Sequence, residues 1–152
     1  AYLQNGTKSP NICLASFLLW WEDLNEQHDV KILGMEQKMI LPYCGGTYDL
    51  LLSIDDRIYL LDLKTSNNIS FKYFIQLAAY RYMLYKTQDI NIDGCIVLQL
   101  DKNVAGFNEQ VLDFSIDEHY QFIEQCAFTF ISLVLSFYNI YRTESEYKKL
   151  FT

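Results

Sequence analysis

Gly45–Tyr80 reads GGTYDLLLSIDDRIYLLDLKTSNNISFKYFIQLAAY, and its reading decides the fold. Leu50, Leu51, Leu52 and Ile54 form one apolar run, and Ile58, Tyr59, Leu60, Leu61 and Leu63 form a second. Asp55 and Asp56 between them are turn-forming residues, so the stretch predicts a β-hairpin followed by a short polar loop and a helix. A turn centred between the two aspartates puts Asp49 directly opposite Asp62, with Lys64 two residues on along the same face. Both strands are apolar on either side, as expected of a central position covered by helices on both faces.

Opposed carboxylates in such a place call for an explanation. Directly facing Cβ atoms lie ~5 Å apart, and like charges there are destabilising. At an effective dielectric of about 20 the repulsion is roughly 3 kcal/mol. A positive charge between them relieves it. Lys64 is one source, and a hard divalent cation taking oxygen ligands is the better one.

The motifs in order are Gly-x-x-Asp (Gly46 to Asp49), Asp-x-Lys (Asp62 to Lys64) and Gln-x-x-x-Tyr (Gln76 to Tyr80). Together they resemble the PD-(D/E)XK nuclease superfamily, and more narrowly its RecB-like exonuclease branch. The likeness is clear from Glu36 to about Leu84 and weaker beyond. It implies an α/β, restriction-endonuclease-like αβββαβ core, a mixed sheet flanked by helices. It also implies a DNA phosphodiesterase using Mg²⁺ or Mn²⁺, held by Asp49, Asp62 and the Leu63 carbonyl. Lys64 would act on the attacking water, and Gln76 and Tyr80 would position water and substrate. In that pattern a Glu on the preceding strand adds to the metal site, and Glu36 matches it. The residue-level alternative is a solvent-facing Glu36 beside Lys38.

Thr65 and Ser66 place hydroxyls next to this site as substrate contacts. Lys72, Gln76 and Tyr80 recur at helical spacing, and Lys72 in the first helical turn is a phosphate contact or a solvated lysine.

The 152 residues suffice for one domain, with 51% apolar and 20% charged residues marking a globular chain. A net charge of −7 weighs against an extensive phosphate interface, so contact with DNA must be local. Cys13, Cys44, Cys95 and Cys126 are scattered, without zinc-ribbon spacing and without the clustered pattern of iron–sulfur members of the branch. Reduced thiols and no cluster are expected. The weakly charged run Ala127–Ile140 is too short for a bilayer and is broken by Thr129, Ser132, Ser136 and Asn139, so a soluble intracellular protein without a membrane partner is expected.

Outside the central stretch, Ala1–Lys8 reads as a last helical turn capped by Gly6, and the resemblance puts a functional His on a helix upstream of Ala1. Ser9 and Pro10 predict a helix start, with an amphipathic helix from Asn11 to about Gln27. Trp20 and Trp21 on it are read as core rather than as a base-stacking surface. Val30–Pro42 predicts a strand with a bulge or bend at Gly34. Ser70 caps a helix over Phe71–Lys86. Gly94–Leu100 and about Glu109–Phe114 predict two strands, and Asp117 is a possible cap of a long last helix with a wide apolar face. His28 and His119 are both read as surface residues. The competing class is a nuclease fold that has lost its chemistry and binds nucleic acid or a protein. A further expectation is a nuclease domain working within a larger recombination or helicase assembly.

Overall fold

Asp55 and Asp56 turn the chain with φ of 51° and 64°, both left-handed. That is the pair of positive φ values a two-residue type I′ hairpin needs, since its twist matches the flanking strands. The computed structural model describes residues 11–152. Gly6, Ser9 and Pro10, where a helix end and a helix start are expected, lie outside the described residues. The order is α1 (Ile12–Gln27), β1 (Val30–Leu41), β2 (Cys44–Ile54), β3 (Arg57–Lys64), α2 (Lys72–Gln88), β4 (Gly94–Leu100), β5 (Phe107–Asp113) and α3 (Asp117–Phe151). The fold is α/β, a five-stranded mixed sheet in sequence order with helices on its faces.

The β2–β3 pairing runs Ile54↔Arg57 through Leu50↔Leu61, the register that places Asp49 across from Asp62. Neighbouring strands are antiparallel except β3 and β4, which are parallel and joined through α2. In β1 the register slips between Ile32 and Gly34, the bulge expected there. Gly34 is the residue that fits, because an added Cβ would sit 2.0 Å from the Tyr48 hydroxyl oxygen. Glu36, shortly after the bulge, has φ 47°. A glutamate in the left-handed region carries strain of the order of 1–3 kcal/mol, and such residues concentrate at functional sites.

Each face of the sheet has its own core. Leu51, Leu60, Val97, Leu77, Ala78, Leu84 and Ile123 close the face under α2 and α3. Trp20, Leu50, Leu52, Leu61, Ile96 and Leu98 close the face under α1. Burying one such aliphatic side chain contributes about 1.5–3 kcal/mol. Trp20 is 2% exposed and its indole N–H donates to Glu109 Oε2 at 2.8 Å, so its reading as core holds. All four cysteines are free, Cys95 and Cys126 buried and Cys13 and Cys44 half-buried.

Several boundaries and roles differ from expectation. Strand β5 begins at Phe107, because the β4 edge pairs with it back to Leu100↔Phe107. Asn11 caps α1, its side chain accepting from the Leu14 N–H at 3.3 Å. Asp117 lies in the first turn of α3 and Ile116 takes the cap position, with no side-chain cap bond. His119 is half-buried, and its Nδ1 accepts the Asp113 N–H at 3.0 Å, which closes the β5–α3 corner. His28 is exposed as expected, and it pairs with Asp55 of the hairpin turn at 2.6 Å.

The wide apolar face expected of the last helix is present in α3 but little covered, with only Ile123 and Cys126 buried. Phe128, Leu133, Phe137, Ile140 and Tyr141 are exposed. By length and composition alone this 35-residue helix is long and apolar enough to cross a membrane, which the shorter run Ala127–Ile140 within it is not.

Candidate active site

The site begins where the β2–β3 hairpin opens. Regular pairing ends at Leu50↔Leu61, and beyond it the Asp49 carboxylate takes over. Asp49 Oδ2 accepts the Leu63 backbone N–H at 2.7 Å, so this side chain bridges the two strands edge to edge. Asp62, 4% exposed, projects toward α2. Lys64 follows on the same face, and its Nζ lies 2.9 Å from Asp62 Oδ2.

That approach is an ion pair without a well-directed hydrogen bond. Asp62 Oδ2 is a buried oxygen with no hydrogen-bond partner among the described residues. The Lys64 ammonium instead donates to Gln76 Oε1 at 3.1 Å and sits 4.7 Å from the centre of the Tyr73 ring. Gln76 Nε2 in turn donates to the Tyr80 hydroxyl at 2.8 Å. Asp62, Lys64, Gln76 and Tyr80 thus form one continuous polar chain, held between apolar layers.

The electrostatics follow from this placement. Burial pushes the Asp62 carboxyl up to about 6. Lys64 pulls it down, and the neighbouring Asp49 carboxyl pushes it up again. Burial likewise raises the Tyr80 phenol, with Gln76 acting against it and both aspartates adding to it.

Gly46, the glycine of the GTYD segment, has a steric reason. An added Cβ would come within 2.5 Å of Tyr80 Cε1, so the ring can lie over the strand only where no side chain stands. Glu36 falls opposite Asp49, between the pairs Met35↔Leu50 and Gln37↔Tyr48. It is exposed, and it shares with Asp49 and Leu63 the wall of a groove under α1.

Asp49, Asp62, Lys64, Gln76 and Tyr80 are therefore brought together, with the Leu63 backbone between the two aspartates. Thr65 and Ser66 lie apart, lining a cleft of about 140 Å³ beyond the ends of β3 and β4 together with Gln99, Lys102 and Asn108. Ser66 is bound within the fold: its hydroxyl donates to the Asn68 carbonyl and accepts from the Tyr73 hydroxyl, both at 2.9 Å. Lys72 is exposed, and its ammonium has no ion-pair partner among the described residues.

Tyr73 is the residue the sequence reading missed. Its ring borders the Lys64 ammonium and its hydroxyl fixes Ser66. The signal was present, since Tyr73, Gln76 and Tyr80 recur at i, i+3 and i+7 on one helical face.

A hard divalent cation fits part of this arrangement. The donors are carboxylate and carbonyl oxygens, and one of them, Asp62 Oδ2, is buried without a hydrogen bond. Among the described residues no three His, Cys, Asp or Glu side chains converge as a complete cage. Two carboxylates completed by water or substrate oxygens is a magnesium-type set rather than a closed structural site.

Family models and curated protein sequences give no match to the chain. Among solved structures, the crystal structure of SSO0001 is similar at 14% identity and a TM-score of 0.37, over 80% of this chain. The chain spans 57% of that protein's length.

Proposed function

We propose that this protein is a Mg²⁺- or Mn²⁺-dependent nuclease that hydrolyses DNA phosphodiester bonds, of the RecB-like exonuclease type. The observation that carries the reading is the buried Asp62 carboxylate beside Asp49, which meets the Lys64 ammonium at 2.9 Å without a well-directed hydrogen bond, while Lys64 is tied to Gln76 and Gln76 to Tyr80. Asp49, Asp62 and the Leu63 carbonyl would hold the cation, with Glu36 at the rim. Such an ion supplies charge to the phosphoryl oxygens and makes a bound water more acidic.

The residues of the chain do the rest. Lys64 orients the attacking water or accepts its proton, and its swing away from Asp62 is limited by Gln76. Gln76 and Tyr80 hold the geometry of Lys64 and offer polar atoms to substrate. Thr65, Ser66 and Lys72 are the substrate contacts of this reading, Lys72 at a helix N-terminus where a phosphate is favoured. Its setting is an intracellular recombination, repair or mobile-element process, within a larger assembly.

The Asp62–Lys64 ion pair favours a second reading. It neutralises the buried carboxylate without any metal, as an inactive module that binds nucleic acid or protein would need. Incubation with single- and double-stranded DNA, with and without Mn²⁺, separates the two. Mn²⁺-dependent cleavage that disappears in Lys64→Ala supports the nuclease. Binding without cleavage by the wild-type protein supports the module.

A further inference from the structure

The groove under α1 has a chemistry opposite to that of the polar chain. Phe17 and Trp21 of α1 and Ile32 and Met35 of β1 line it, together with Glu36 and Asp49. Its volume is about 580 Å³, within the roughly 300–1,000 Å³ of small-ligand pockets. Among the described residues no Lys or Arg lines it. The Phe17 and Trp21 rings lie 6.1 Å apart with planes only 15° from parallel. Unlike Trp20 beside it, Trp21 is only half-buried.

The described walls offer a phosphate backbone no cation. Without a cation the two carboxylates in the groove wall repel phosphates, and a duplex presents phosphates outward on both strands. An unpaired base offers what the walls complement, a flat face that stacks on aromatic rings irrespective of sequence. The groove also runs into the site, because Asp49 and Leu63 belong to both.

We propose that the groove between α1 and β1 receives an unpaired nucleobase of a single-stranded substrate, stacked on Trp21 and Phe17, beside the phosphodiester presented to Asp49. The proposal rests on the nuclease reading of the carboxylate site. It makes the protein selective for single strands through apolar contact, which suits a chain of net charge −7.

The test measures binding of fluorescently labelled oligothymidylate, an abasic oligomer of equal length and a blunt duplex, by anisotropy with Ca²⁺ as the cation. Oligothymidylate should bind at least about tenfold more tightly than the abasic oligomer, the scale of one stacked base. Trp21→Ala should remove most of that difference, Trp21→Phe should retain it, and Met35→Glu at the exposed rim should weaken it. Equal affinity for the abasic oligomer, tighter binding of the duplex, or an unaffected Trp21→Ala variant would overturn the base site. In those cases a segment of the chain or a protein fills the groove instead. Cleavage assays of the same strands with Mn²⁺ keep the two readings distinct. Base-dependent binding without cleavage removes the nuclease and leaves the base site, whereas cleavage without base dependence does the reverse.

Discussion

The two faces of the sheet at the open end of the hairpin solve different problems with adjacent residues. Toward α2, Asp62, Lys64, Gln76 and Tyr80 are linked through contacts of 2.8–3.1 Å, and each position is fixed by the next. Toward α1, Phe17, Trp21, Ile32 and Met35 line open space and hold one another only by packing. Asp49 belongs to both, its carboxylate set on the Leu63 N–H between them. One side is held by an ion pair and two hydrogen bonds, and the other is apolar with Ile32 and Met35 exposed. On the proposed nuclease reading, the first would serve the chemistry and the second the choice of substrate.

If that division is right, damage to the polar face should reach turnover and damage to the apolar face should reach affinity. The largest effect is expected from Lys64→Ala, a loss of cleavage of about 10²–10⁴-fold with substrate affinity largely kept. Trp21→Ala should show the reverse pattern. A Lys64→Ala variant with full activity would break the division at its strongest point.

Gly46→Ala is expected next. The new methyl must displace the Tyr80 ring, which pulls the hydroxyl from Gln76 and frees Lys64. A displacement of this kind costs up to about 10²-fold in rate. The effect should fall on kcat and be relieved by combining Gly46→Ala with Tyr80→Leu only as far as folding is concerned. A Gly46→Ala protein with wild-type kcat would mean that Tyr80 does not position the site.

A smaller effect separates the hairpin from the site it carries. Asp56 adopts φ 64°, where an L-residue is strained and glycine is not. Asp56→Gly should stabilise the protein by about 0.5–1 kcal/mol, or roughly 1–4 °C in melting midpoint, with cleavage unchanged. A lower midpoint would show that the Asp56 side chain contributes more than its backbone costs.

Much of this was legible because it depends on period and turn chemistry. Two apolar runs around Asp55–Asp56 define the register, and the register alone places Asp49 against Asp62. The bulge at Gly34 was legible for a similar reason, a glycine interrupting a β-branched and apolar run. Contacts between distant segments were not legible. The place of Gly46 under Tyr80 and the Tyr73 ring beside Lys64 both require α2 to be docked first. How little of α3 is covered was not legible either. Phe130, Val134 and Tyr138 at helical spacing show an apolar face, and spacing does not say whether another element lies against it.

The central claim is that Asp62 and Asp49 share a cation, and melting with and without Mn²⁺ tests it most directly. The folded Asp62 carboxyl titrates near 6, above its ordinary range, chiefly through burial. Folded protein therefore holds this proton more tightly than unfolded protein. The stabilisation is complete below the unfolded value near 3.9 and is lost as pH rises through about 6. In chelator the wild type should melt lower at about pH 7.5 than at about pH 5, and Asp62→Asn should abolish that difference. Saturating Mn²⁺ at about 100 times its dissociation constant stabilises by about 2.7 kcal/mol. The wild-type midpoint should then rise by several degrees at the higher pH and by much less at the lower, while Asp62→Asn stays flat at both. An Asp62→Asn protein that gains as many degrees from Mn²⁺ as the wild type would contradict the shared site.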